Sequence, residues 1–281
     1  MSDQAAGEIG AKRRVRAEDE FRDAPQSALD FMIIRIAIRL LLTAAILLLW
    51  QYASGRWIEE YWISRPTDVA AKIVEWWYSG DLLTHMGITA GEAISGFLIG
   101  TLAGGVVGFI FGWFKRVAEI LDPIIIAIYS LPKVALAPLF IIWFGIGFEM
   151  KVILTAVIVF FLVFFNTYSG VRDTSRELID IVRLMGAKTP QVLWWVVLPS
   201  ALTAIFVGLR VSVPYALIGA VVGEMMASNR GVGFLLMQSA GQFDTAGTFA
   251  ALLTLIAISA AFNESIRYLE AYLLRWKEVQ R

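Results

Sequence analysis

The 281-residue chain has no cysteine and a single histidine, His85. Without thiols, a disulfide framework, a thiol nucleophile and a thiolate metal site are all excluded. One imidazole builds no histidine cluster, so no metal site is expected, and His85 reads as an interfacial residue rather than a ligand or sensor. A phosphate-binding loop is also missing. That loop needs glycine, four residues, then Gly-Lys-Ser/Thr. The nearest stretch, "GAKT" (Gly186–Thr189), has an alanine between glycine and lysine and no earlier glycine at the required distance. No nucleophile, base and orienting group lie together, so no catalytic residues are expected. The start of the chain lacks a short apolar core with a small-residue cleavage site, and no cleaved leader is expected. Net charge is zero, from 24 basic and 24 acidic residues.

What the chain has is apolar length. It is 58% hydrophobic with a mean hydropathy of +0.68, and the excess lies in blocks of about 20 residues, enough to cross a bilayer. Ala93–Phe114, Val152–Val171 and Thr245–Asn263 carry no charge. Pro123–Phe148 carries only Lys133 inside it, and Ile33–Tyr52 carries Arg35 and Arg39 in its opening turns, where they snorkel to the interface. Residues 189–223 hold one charge, Arg210; Pro199 divides this stretch and leaves Ser200–Met226 as a span. The expected fold is an all-α polytopic membrane protein of six transmembrane helices. If the N-terminus is cytoplasmic, 17 lysines and arginines fall on inner segments and five on outer ones, so both termini are predicted to be cytoplasmic.

Residues 1–28 are polar, carry "KRRVR" and read as a disordered cytoplasmic tail. Residues 29–275 are expected to form the six-helix membrane domain, and 276–281 a second tail. Trp57, Trp62, Trp76 and Trp77, set among charges, predict an outer segment lying at the interface. Gly96, Gly100, Gly104, Gly108 and Gly112 recur every fourth residue and predict a face for close helix packing. Glu92 is expected to cap or pair near the outer end of that helix.

Residues 172–200 fall on the inner side. "DTSRELIDIVRLMG" predicts a helix capped by Asp173, Thr174 or Ser175, with Leu178, Ile181, Val182 and Met185 on one stripe and Gly186 in a left-handed C-terminal turn. "TPQVLWWVVLP" predicts a second short helix, with Thr189 as cap and Pro199 as stop. The two helices, bent at glycine, make an elbow suited to a groove on another protein.

Gly186, nine residues and then "VVLP" ending at Pro199 resembles the cytoplasmic loop of ABC importer permeases, although "DIV" (Asp180–Val182) stands where that motif has an acid and two alanines. "LPKVALAPLFIIWFGIG" (Leu131–Gly147) and "GLRVSVPYALIGAVVGEMMAS" (Gly208–Ser228) are similar to the nitrate/sulfonate/taurine/bicarbonate-type permeases, six-span subunits of type I importers. The resemblance implies a coupling loop of Arg176, Glu177, Asp180, Ile181, Val182, Met185, Gly186, Ala187 and Pro199 that docks into an ATPase subunit. It implies a second copy of the chain, two ATP-binding cassette subunits holding ATP and Mg, and a periplasmic solute-binding protein. This chain would bind no cofactor and no nucleic acid, and it would sit in a bacterial inner membrane.

Lys133 and Arg210 lie in mid-membrane, where an ionised group costs about 2.5–3.5 kcal/mol on insertion scales. Either they line a translocation path that favours a small anion, or they brace the bundle. Asn166, Tyr215 and Glu224 are further path candidates. An uncharged vitamin or precursor is the alternative cargo. An ion-gradient transporter is the alternative class, but it calls for an internal inverted repeat, and none is found.

Overall fold

The structure, a computed structural model, describes residue 31 and residues 33–274; the expected tails at 1–28 and 276–281 lie outside the described residues. Among these, the chain is helical apart from an isolated bridge between Ser54 and Ile58. Five helices are long and apolar enough to cross a membrane, and a bent pair makes a sixth.

The first compact unit runs to Thr67. Its spanning helix α1 (Ile33–Ala53) has a mean hydropathy of 2.2. The end of α1 is tied to the following turn and to α2 (Glu60–Ile63). The Trp50 indole donates to the Ile63 carbonyl at 3.0 Å, and the Gln51 amide meets Thr67 twice at 3.3 Å. Trp57 and Trp62 are exposed, as expected of indoles that sit among lipid headgroups.

The second unit begins at Asp68. After α3 (Pro66–Ser79) comes α4 (Asp81–Trp113), which is 33 residues long. It starts well before the expected Ala93 because the polar side chains that make residues 81–92 look interfacial are hydrogen-bonded to neighbouring helices. Its glycines face α7 (Phe148–Arg172). A Cβ added at Gly100 or Gly104 would stand 2.5 Å from the carbonyl oxygen of Ala156 or Phe160, and one at Gly108 would stand 2.6 Å from that of Phe164. The two backbones therefore touch along most of their length, the geometry that small residues at every fourth position permit. Around this seam, Phe97, Val159, Val163, Phe206, Leu209, Val213 and Ile266 form the core shared with α10 (Leu198–Met226) and α12 (Thr245–Leu273).

Two sequence-based expectations are corrected. The block Pro123–Phe148 is not one straight span. Helix α5 runs from Lys115 to Ser130 with Pro123 inside it, and Pro132 holds Leu131 extended (φ −67°, ψ 134°). The chain resumes as a 3₁₀ turn, Lys133–Leu136, and α6 (Ala137–Phe144), bent by 79° from α5. Nor does Pro199 stop a helix. After α8 (Arg176–Leu184) and α9 (Thr189–Val192), residues Leu193–Val197 take one π-helical turn that leads directly into α10. Proline lacks an N–H and crowds the carbonyl one turn back. The widened turn before Pro199 takes up that crowding, so Thr189–Met226 runs on as one 38-residue helix.

Candidate functional sites

The elbow closes one end of the bundle. Ser175, of the three capping candidates, caps α8 by accepting from the Leu178 N–H at 3.4 Å. Gly186 follows at φ +90°, with its N–H on the Arg183 carbonyl at 2.9 Å and that of Ala187 on Val182 at 3.2 Å. Nothing lies within 4 Å of a Cβ built on Gly186. Glycine is required there by backbone conformation, not by crowding. Thr189 is the first helical residue rather than the cap; the Gln191 side chain accepts the Lys188 N–H at 2.7 Å.

The expected single apolar stripe on α8 divides in two. Val182, with Ile179 and Ala187, packs against Val171, Val192, Val197 and Ala201 of the bundle. Leu178, Ile181, Leu184 and Met185 point away, with Leu184 88% and Met185 82% exposed. Arg176, Glu177 and Asp180 are exposed beside them, and Arg176 also lines a cavity of about 370 Å³ with Trp113, Arg172 and Thr174. The elbow thus presents an apolar ridge with charged flanks, while its other side is fixed to the spans.

Lys133 and Arg210 have separate partners. Lys133 lies at the break between α5 and α6, its ammonium donating to the Tyr129 carbonyl and standing 4.0 Å from the Tyr129 ring centre and 5.0 Å from that of Phe161. Arg210 is ion-paired with Glu270, in the last turn of α12. Asn166 donates to the Leu162 carbonyl at 2.8 Å and packs on Gly208. Tyr215 is exposed. Glu224 is not near these four: it is 1% exposed and belongs to a cluster at the opposite end from the elbow.

That cluster was largely hidden in the sequence. Lys151 of α7 donates to Glu92 of α4 at 2.7 Å and to Ser228 at 2.8 Å, and both ion-pair side chains are almost wholly buried. Glu224 neighbours Glu92 and accepts from the Thr89 hydroxyl and the Gly233 N–H, each at 2.6 Å. His85, expected to be a plain interfacial residue, meets Gly231 through Nδ1. The available signal was the spacing of His85, Thr89 and Glu92, which lie on one face of a helix at i, i+4 and i+7. At the edge of the cluster lies a cavity of about 270 Å³ lined by Lys72, Trp76, Asp81, His85, Gln238 and Asp244. Burial there works against the Lys72 charge, but Glu75 and Asp244 outweigh it and raise its pKa above the usual lysine value.

Spanning helices with an amphipathic elbow fixed to them define a multi-pass membrane protein. Residues 96–276 match the family model described as the binding-protein-dependent transport system inner membrane component, and the chain belongs to that family. It is a permease subunit of an ABC importer. Among its relatives are the putative aliphatic sulfonates transport permease protein SsuC of Bacillus subtilis (strain 168), 34% identical over 85% of this chain and 87% of the relative. The taurine transport system permease protein TauC of Escherichia coli (strain K12) is 33% identical over 85% of this chain and 90% of its own length. The formylaminopyrimidine transport permease protein ThiX of Halalkalibacterium halodurans is 30% identical over 84% and 94%. In fold, the chain is similar to the inward-facing MetNI methionine ABC transporter, with a TM-score of 0.53 at 18% identity, covering 69% of this chain and 94% of that one.

Proposed function

We propose that the elbow is the coupling element of the importer, that it faces the cytoplasm, and that its exposed ridge docks into a separate ATPase subunit in which ATP and Mg are bound and consumed. The exposed ridge of Leu178, Ile181, Leu184 and Met185 carries this reading. Exposed apolar surface rimmed by charge marks a protein interface, and the other side of the same helix is packed onto the bundle. A push on the elbow passes through the π turn into α10 without a joint. One chain offers one elbow, so two copies would meet two ATPases, with a solute-binding protein delivering cargo on the α11 side.

The cargo we infer is a small anion. Lys133 sits where Pro132 interrupts a span and leaves backbone carbonyls without helical partners, and the sulfonate and taurine relatives are named for anionic or zwitterionic solutes. The formylaminopyrimidine relative keeps an uncharged cargo as the second reading. Arg210 serves as a brace in this scheme, its charge offset by Glu270.

The test is Leu184→Asp with Met185→Asp in the complete transporter reconstituted in liposomes. ATP-driven uptake should be lost and the ATPase should detach, while the permease stays in the membrane at normal abundance. Normal uptake by this variant would refute the coupling role.

A further inference from the structure

Helix α11 (Val232–Gly241) has ten residues, about 15 Å by helical rise, against a hydrocarbon core of about 30 Å. It lies between the spanning helices α10 and α12 without crossing. The first N–H groups of any helix lack internal partners. Here three in succession are met by side chains from other helices. Gly231 N–H donates to His85 Nδ1 at 2.8 Å, Val232 N–H to Thr89 Oγ1 at 2.8 Å and Gly233 N–H to Glu224 Oε2 at 2.6 Å. His85 and Thr89 come from α4 and Glu224 from the last turn of α10. The two glycines permit the approach. Gly231 has φ +106°, and a Cβ on Gly233 would stand 2.8 Å from Glu224 Oε2. A carboxylate at a helix N-terminus meets the positive end of the helix dipole. The His85 ring also stacks on Phe234, at 6.0 Å and 15°.

We propose that His85, Thr89 and Glu224 form a clasp that positions α11 over the end of the translocation path, and that release of α11 from this clasp is the step that opens that end to incoming solute. The proposal rests on the importer reading. A purely apolar seam resists opening, because water solvates none of the surface it exposes. A buried charged network differs: the desolvation it suffered on closing is returned when water enters. Thr89 and Glu224 are 0% and 1% exposed when clasped, so the same side chains are sealed in one state and hydrated in the other. Glu224 is a positioning residue here, acting through α11 and not on the solute.

The absence of cysteine allows a clean test. Val232 is 0% exposed, and Val232→Cys keeps a small apolar side chain there. In the reconstituted complex, the introduced thiol should resist a membrane-impermeant maleimide at rest and react when a non-hydrolysable ATP analogue and the solute-binding protein are both bound. Glu224→Ala in the same background should expose the thiol without nucleotide, speeding labelling roughly tenfold or more, the effect of losing a charge-assisted hydrogen bond. Glu224→Gln should restore protection. Its oxygen accepts from Gly233, and its amide donates to Thr89, whose hydroxyl turns to the His85 carbonyl 3.1 Å away. Protection in every state of a complex that transports normally would overturn the proposal, as would free labelling at rest. A wild-type complex with no ATP-driven uptake would instead overturn the importer reading.

Discussion

Adjacent glycines on α4 give opposite expectations for the same substitution. Gly104→Ala places a methyl 2.5 Å from the Phe160 carbonyl oxygen, where ordinary contact begins at about 3.4 Å. The obstacle is backbone, so α4 and α7 must part by most of an ångström. Overpacking of this kind costs about 1–3 kcal/mol, and separation also loosens the contacts at Gly100 and Gly108 on the same seam. Against this stands the gain of about 1 kcal/mol from replacing glycine with alanine inside a helix. The net expectation is a loss of up to about 2 kcal/mol, a fall of up to about 8 °C in Tm at about 2–4 °C per kcal/mol. Gly105→Ala meets nothing within 4 Å and keeps the propensity gain, so its Tm should hold or rise slightly. Thermal unfolding of the two purified variants, followed by intrinsic tryptophan fluorescence in one detergent, decides the matter. If Gly104→Ala were as stable as Gly105→Ala, the claim that backbone contact makes this seam would be wrong.

At the elbow, Gly186→Ala forces an L-residue to φ +90° at about 1–2 kcal/mol. ATPase binding should weaken several-fold in a pull-down from detergent, with permease abundance unchanged. Lys151→Met leaves Glu92 buried without its ammonium partner, a loss on the order of 3–5 kcal/mol, and should lower the yield of folded protein; Lys151→Met combined with Glu92→Gln should recover most of it. Arg210→Gln strips Glu270 of its counter-charge, so abundance and uptake should fall together on immunoblot and transport assay. Lys133→Gln should lower uptake of an anionic solute at constant abundance.

Hydropathy alone reveals the spanning blocks, because a bilayer demands about 20 apolar residues whatever their partners. The glycine seam and the left-handed turn at Gly186 are equally local, since each follows from what a missing Cβ allows. Pro199 misleads for the opposite reason. A proline's effect depends on whether the preceding turn widens, and no residue in "LWWVVLP" announces a π turn. The Lys151–Glu92 and Arg210–Glu270 pairs join positions 59 and 60 residues apart, a distance at which periodicity carries no information. Glu224 shows the same limit most clearly: read along its own helix it is an isolated charge seeking a cation, and in the fold it accepts the Gly233 amide of a helix that begins eight residues later. The polar residues that look dispensable on an apolar helix are those whose partners arrive from elsewhere in the chain. Burial favours such partners: Ser212 and Thr254 find theirs in their own helices, whereas Thr89, Glu92, Lys151 and Glu224 mark places where separate elements were brought together. At the end of the bundle opposite the elbow, four such elements (α4, α7, α10 and the start of α11) converge on one cluster. A seam built only to be permanent would be expected to use the leucines, valines and phenylalanines that fill the rest of the bundle.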